Sequence, residues 1–275
     1  MTTQSVRNSN SEYVFDTAWQ AERDRVTAIE NIWDEHSRQS LLATGVSEGW
    51  QCLEVGAGGG SLAAWLATLV GPDGRVVATD TDTRFIDALN APGVEARQHD
   101  IVADPLEAGA YDLVHARLLL EHLPDSDVAL DHMIEALKPG AWLVLEEFDH
   151  VSFLPDPESS AEAQATWQAW TDAFTRLAHA RGLDLVYGRR LATLLRRRGL
   201  EDVTCEGRTI VERGGVSGRD LLRLSVLSLR RALTATGAID DSGVDAFVEL
   251  LEDPSFTWTS QIMVTATARK SHPSV

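Results

Sequence analysis

Residues 50–61 read Trp-Gln-Cys-Leu-Glu-Val-Gly-Ala-Gly-Gly-Gly-Ser, so an apolar, strand-like run meets four glycines in five positions and then the helical pattern of residues 61–70. That junction constrains the fold more than any other feature. Glycine lets the backbone take left-handed angles and approach a ligand closely. The free N–H groups that open the next helix favour an anionic or polar group beside them. In an open α/β sheet, ligands bind outside the carboxyl ends of the strands at the switch point, beside the first strand. The turn alone does not say which ligand.

Around this junction strands and helices alternate. Val14, Trp19, Val26, Ile29, Trp33, Leu41 and Leu42 recur at helical spacing over 12–43 and suggest two amphipathic helices ahead of the first strand. Beyond it come a strand at 75–79, a short helix at 84–89 and strands at 94–98 and 111–115. A helix at 127–137, closed by Lys138-Pro139-Gly140, leads into a strand at 141–146. This order predicts an α/β fold, a Rossmann-like, doubly wound sheet with helices on both faces. After Asp149 the pattern changes. Pro155 and Pro157 break the chain, helices are expected at 159–181, 188–198, 217–233 and 242–251, and strands at 203–210 and 257–268.

The dinucleotide fingerprint requires glycine or alanine at the sixth position from Gly56, which is Ser61 here, and Gly60 falls one residue early. Glu54, two residues before Gly56, stands where a dinucleotide turn carries an apolar residue. A carboxylate there can hold a cationic amino group. The segment Glu54-Val55-Gly56-Ala57-Gly58-Gly59-Gly60 resembles the E/D-x-G-x-G-x-G motif of class I S-adenosylmethionine-dependent methyltransferases. Val77-Ala78-Thr79-Asp80 is similar to the family's second-strand motif, whose acid binds the ribose hydroxyls, and Asp100-Ile101 to its pair beside the adenine. The segment from His115 to Asp125 resembles the post-strand-four segment of the small-molecule branch (types 11 and 25, ubiquinone/menaquinone-biosynthesis-like), and Leu137-Lys138-Pro139-Gly140 its pre-strand-five turn.

The resemblance implies a seven-stranded, mostly parallel sheet with the last strand antiparallel. It divides the chain into lid helices (1–48), a cofactor-binding core (49–150) and helical inserts with the last two strands (151–275). It also implies S-adenosylmethionine as cofactor, held by Glu54, Gly56, Ala57, Gly58, Gly60, Asp80, Thr81, Asp100, Ile101, Ala116 and Arg117; apart from the resemblance, Tyr13 of the leading helices is a further candidate. The chemistry agrees: Asp80 at a strand end can accept two hydroxyl hydrogen bonds worth ~1.5–3 kcal/mol each, and a sulfonium suits an acidic pocket with aromatic faces. The plainer alternative makes Asp80 and Asp100 turn or N-cap carboxylates.

Charge bears on partners. The chain carries a net charge of −18, of which −17 lies in residues 1–150 and −1 in residues 151–275. Such acidity argues against nucleic acid and against an anionic membrane surface. No signal core or membrane span is read, so a cytoplasmic location is expected. Cys52 and Cys205 read as buried strand cysteines in a reducing compartment. The histidines show no metal-ligand spacing, so no metal is expected. The run Arg189, Arg190, Arg196, Arg197, Arg198 reads as a solvated helix face, or else as a docking surface for a second subunit or an anionic substrate.

Methyl transfer to a hydroxyl needs aligned partners and removal of a proton. Candidate bases at the ends of strands four and five are His115, His122 and His150, with Glu147 and Asp149 also considered. Tyr13 and Trp19 could face the site or only staple their helix. Trp167, Trp170 and Phe174, spaced i, i+3, i+7, read as core or a dimer seam, the oligomer being a monomer or homodimer. The expected activity is methylation of a small, apolar metabolite, oxygen acceptors favoured over nitrogen or carbon, in a setting such as specialised metabolism. Two alternatives compete: a cofactor-binding scaffold with a regulatory or non-methylating role, and a nucleotide-linked oxidoreductase, against which Ser61 and Glu54 speak.

Overall fold

Strands buried on both faces carry continuous apolar runs, and Leu53, Val55, Val77, Val114 and Leu143 are such residues, all buried. The computed structural model describes residues 9–216 and 220–272, with side chains from Gln20 onward. In chain order the elements are α1 (Ser9–Ala43), β1 (Gln51–Val55), α2 (Ser61–Val70), β2 (Arg75–Asp80), α3 (Arg84–Leu89), β3 (Val94–Gln98), β4 (Tyr111–Arg117), α4 (Ser126–Ala136) and β5 (Leu137–Asp149). There follow β6 (Leu154–Pro155), α5 (Ala161–Arg181), α6 (Tyr187–Arg197), β7 (Glu201–Arg208), β8 (Val211–Arg213), α7 (Leu221–Thr234), α8 (Asp241–Glu252), β9 (Thr257–Thr259) and β10 (Ile262–Arg269).

The main sheet has seven strands in the order β3-β2-β1-β4-β5-β10-β7. β1 to β5 pair in parallel, and β10 runs antiparallel to β5 and β7. Strand order reverses between β1 and β4, so the crevice opens beyond Val55 and Arg117. One apolar core joins α2 to the face of the sheet carrying Cys52, Leu113 and Val144. Another joins α4 and α6 to the face carrying Leu53, Val114 and Leu145. α5, α7, α8 and the small sheet β6-β9-β8 form a cap around Phe153, Trp167, Trp170, Phe247, Phe256 and Trp258, and α7 leans on α1.

Three expectations are corrected. The two leading helices are one helix of 35 residues, because neither glycine nor proline interrupts residues 9–43. The expected last strand divides into β9, in the small sheet, and β10, in the large one. Between them the Ser260 hydroxyl accepts the Ile210 N–H at 3.0 Å and donates to the Gln261 carbonyl at 2.8 Å, turning the chain from one sheet to the other. Cys52 is buried as expected, but Cys205 is exposed, since β7 is an edge strand. On α6 much of the arginine run is absorbed within the chain: Arg189 pairs with Asp149, Arg190 with Asp184, and Arg198 with Asp127 and Asp131. Among the described residues no helix is long and apolar enough to cross a membrane.

α1 docks through Trp33, 1% exposed, which meets Phe148 edge-on at 5.8 Å and packs with Met263. Trp33→Ala is expected to cost about 3–5 kcal/mol, read as a lower urea midpoint with little change in slope.

Candidate active site

The glycine loop takes the conformation its sequence permits. Gly56 and Gly58 have φ of 68° and 54°, and the loop is pinned by Ala57 N–H to the Thr79 carbonyl (2.9 Å) and Gly60 N–H to the Ala57 carbonyl (2.9 Å). Asp80, ending β2, accepts the Gly58 N–H at 3.0 Å and the Asp82 N–H at 3.1 Å, which fixes its carboxylate beside the loop. Asp100 accepts the N–H groups of Val102 and Ala103, and the Ile101 carbonyl accepts His132 Nδ1–H at 2.7 Å. Overhead, α1 comes so close that a Cβ on Gly59 would strike the Glu30 carboxylate. Burial, helped by Asp34, raises the Glu30 carboxyl above its usual range despite hydrogen bonds from Ser61.

A cavity of about 1060 Å³ begins here and runs beneath the cap. Of the expected cofactor residues, Glu54, Gly56, Ala57, Gly58, Asp80, Thr81, Asp100, Ile101 and Arg117 line it. Gly60 and Ala116 do not. Gly60 backs onto Ile86 and Leu89 of α3, and Ala116 points into the core of the opposite sheet face. The Tyr13 side chain, like that of Trp19, lies outside the described residues.

Beneath α1 a buried polar row crosses the strand ends. Glu54 and His115 are register partners on β1 and β4, Arg117 and Glu146 on β4 and β5, Glu146 and Thr265 on β5 and β10. His115 Nδ1 lies 2.7 Å from Glu54 Oε2 and its Nε2 3.4 Å from Glu146 Oε2. Glu146 also accepts the hydroxyls of Ser37 and Thr265, and Arg117 donates to Ser37 at 2.9 Å and Asp34 at 3.0 Å. Burial alone would push the His115 imidazole down, but the charges and hydrogen bonds of Glu54 and Glu146 outweigh it and raise it to about 9. Burial likewise opposes ionisation of Glu146, yet His115, Arg117 and Ser37 lower it to about 2. His115, expected among the candidate bases, is therefore an imidazolium clamped between carboxylates with no surface on the cavity. Glu54 lines the cavity while its Oε2 is already engaged by that ring.

The loop after β4 carries the other half. Leu118, a non-glycine residue with φ of 52°, reverses the chain, and Leu119 packs on Gly56. Strain of this kind persists where surrounding contacts over-determine it. Here Glu147, fully buried, accepts the N–H groups of Leu119 (3.1 Å), Leu120 (2.7 Å) and Glu121 (3.3 Å). Burial, reinforced by Glu121, raises the Glu147 carboxyl well above its usual range. Neither weighed carboxylate stands free as a base: Glu147 anchors this loop, and Asp149 pairs with Arg189 at 2.6 Å. Burial would raise Asp149, but the Arg189 guanidinium and the Val151 N–H hold it below the usual range.

His122 and His150 do line the cavity, and a residue unremarked in the sequence joins them. Glu121, 2% exposed, places Oε1 3.5 Å from His122 Nε2 and Oε2 3.4 Å from His150 Nε2. Its signal was only an acid beside His122. The His150 ring lies 5.6 Å from Phe148 and 5.7 Å from Phe174, and the chamber continues along Phe153, Trp170, Val226, Leu229 and Trp258. Trp167 is core, whereas Trp170 and Phe174, expected as core or seam, also face the cavity.

Residues 21–205 match the family model described as a methyltransferase domain, about two thirds of the chain. The chain belongs to the class I S-adenosylmethionine-dependent methyltransferases. Methyltransferase str2 of Strobilurus tenacellus is 32% identical over 126 residues, 46% of this chain and 45% of that protein. The ubiquinone/menaquinone biosynthesis C-methyltransferase UbiE of Vibrio vulnificus is 28% identical over 135 residues, 46% of this chain and 51% of that one. The chain thus spans about half the length of these curated relatives. In fold it is similar to phosphoethanolamine N-methyltransferase 2 of Haemonchus contortus, solved with phosphomonomethylethanolamine and S-adenosylhomocysteine (16% identity, TM-score 0.55, 90% of this chain and 57% of that one). The YcgJ protein of Bacillus subtilis also shares the fold (13% identity, TM-score 0.55, 87% and 100%).

The polar row gives a pH test. Because His115 is raised from an ordinary 6.5 to about 9, its pairing contributes fully below pH 6.5 and is lost as pH rises through about 9, on the order of 3 kcal/mol. Melting temperature should fall across that interval. His115→Gln, which leaves two buried carboxylates unpaired, should cost about 3–5 kcal/mol near neutrality and abolish the decline.

Proposed function

We propose that this chain binds S-adenosylmethionine at the glycine loop and methylates a small, mainly apolar acceptor at oxygen. The observation that carries this reading is the single cavity that joins the acid-lined glycine loop to an aromatic chamber. Its volume, about 1060 Å³, is at the upper end of the ~300–1,000 Å³ of ligand pockets, room for two partners side by side.

The residues fit the cofactor. Asp80 is held by backbone N–H groups at the strand end, Glu54 and Asp100 add negative charge, and both ring nitrogens of His99, which lines the cavity beside Asp100, are buried without a hydrogen-bond partner among the described residues. Asp80 would take the ribose hydroxyls, Asp100 and Ile101 would flank the adenine, and Glu54 would face the amino group. When bound, S-adenosylmethionine supplies an electrophilic methyl group next to a good sulfur leaving group. The chain's part is alignment, exclusion of water and proton removal. α1 and α7 roof the cavity, Phe148, Phe174 and Trp170 give the acceptor apolar faces, and His150 takes the proton. Setting the nearly neutral aromatic chamber against the acidic loop favours an uncharged acceptor, as in specialised metabolism.

Calorimetry with S-adenosylhomocysteine should show micromolar binding, and no heat at millimolar ligand would overturn the reading. Asp80→Ala removes two charge-assisted hydrogen bonds and should weaken that binding by about 100-fold or more. His150→Ala should leave the binding within about threefold while lowering turnover about 100-fold or more.

A further inference from the structure

Glu121 is a buried carboxylate at the junction of the two halves of the cavity, and its position is costly. Its Oε2 and both ring nitrogens of His150 are buried without a hydrogen bond among the described residues. The His150 side chain is only 10% exposed. Buried polar atoms are nearly always satisfied, so three of them gathered on one cavity wall point to a ligand that completes them. The 3.4 Å separation of Glu121 Oε2 and His150 Nε2 is the loose spacing of a base and its orienting carboxylate in a ligand-free site, which shortens when substrate packs against it. A proton on Nε2 faces Glu121, and Nδ1 is then left as the acceptor.

Other charged groups bear on the same place without replacing this pair. His122 shares Glu121 from its own turn, more than half exposed at the mouth. From β5, Glu147 is bound to three backbone N–H groups, and Asp149 is taken by Arg189. Arg25 of α1 lines the mouth, paired with Glu22. Phe148 and Phe174 flank the His150 ring, and Phe174 stacks on Trp170 with ring centroids 5.3 Å apart and planes 11° from parallel. The wall is therefore a carboxylate and an imidazole set in aromatic surroundings.

We infer that Glu121 is a positioning residue that orients His150 to ionise the acceptor, and that the acceptor class is a phenol or enol on an apolar, flat frame. This rests on the methyltransferase reading and narrows it. A carboxylate acceptor needs no base and would be repelled by Glu121. Full transfer of the proton to an imidazole before attack is within reach of a phenol, whereas an aliphatic hydroxyl gives up its proton only as the new bond forms. As the phenolic O–H proton passes to Nδ1 of His150, a lone pair on that oxygen forms the new bond to the methyl carbon. The carbon–sulfur bond breaks with its electron pair on sulfur, and the imidazolium then returns its proton to solvent at the mouth.

The test is 4-nitrophenol, whose phenol and phenolate absorb at different wavelengths, titrated into the full-length protein with S-adenosylhomocysteine present. Wild type is expected to shift the bound probe at least about tenfold toward phenolate relative to free probe. Glu121→Gln should cut this shift to about threefold or less, Glu121→Asp should restore part of it, and His150→Phe should remove it. A probe bound to wild type as the neutral phenol overturns the inference, as does a phenolate signal that survives in Glu121→Gln or His150→Phe. Melting curves establish that each variant is folded, and wild type alone decides if a variant is not. The spectrum is read without turnover. Phenolate without methyl transfer from S-adenosylmethionine would therefore count against the broader reading only, and methylation of a probe bound as phenol against this inference only.

Discussion

Glu54, His115 and Glu146 place three ionisable side chains where the sheet is otherwise dry, and much of the site follows from their mutual neutralisation. A buried ion costs several kcal/mol unless paired with good geometry. Here each carboxylate has the imidazolium, and Glu146 adds the hydroxyls of Ser37 and Thr265. The row ties β1, β4, β5 and β10 together at the ends from which ligands are approached. Through Ser37 and Asp34 it also sets α1, and α1 in turn brings Glu30 over the glycine loop. The roof of the cavity is thus fastened by polar contacts from below, and by Trp33 on Phe148 from the side.

Strand alternation explains how neighbouring residues do opposite work. Glu146 and Glu147 are adjacent on β5, so they point to opposite faces. Glu146 meets a cation and is held strongly acidic, whereas burial and the Glu121 carboxylate hold Glu147 above the usual range despite its backbone N–H groups. The first braces the roof, the second the strained turn at Leu118. A shift of register by one residue would exchange the two and undo both.

What could be read from the sequence was what is local. The glycine loop, the acid at the end of β2 and the alternation through residue 149 depend on residues within a few positions of one another, and the parallel order of β1 to β5 followed from them. What could not be read was what the fold brings together from afar. His115 looked like a base because it ends a strand, yet its neighbours 61 residues before and 31 after make it a structural cation. Glu121 sat among leucines and gave no sign until β5 brought His150 beside it. Cys205 stands between Thr204 and Glu206, polar surroundings that already set it apart from Cys52, and the strand order places it at an edge. The unbroken α1 is the exception, since the lack of glycine and proline over residues 9–43 is itself a local signal.

The uneven acidity of the chain also acquires a partial physical reading. Residues 1–150 carry −17, and some of those carboxylates, Glu30, Glu54, Asp80, Asp82, Asp100 and Glu121, line the cavity. These acids outnumber the Arg25, Arg117 and Arg181 guanidiniums that share the lining, and an excess of one sign in a low-dielectric cleft focuses the field, which favours a ligand carrying a sulfonium and an ammonium over a pyrophosphate. The cap, drawn from the nearly neutral remainder, lines its end with Phe153, Trp170, Phe174 and Trp258, surfaces that reward the removal of apolar area from water. At the boundary stands Glu121, whose partner His150 is the last residue of the charged half and leads into the segment that builds the cap. On the proposed reading, an acceptor at that seam would rest its apolar body on the aromatic end and turn its reacting atom toward the acidic half.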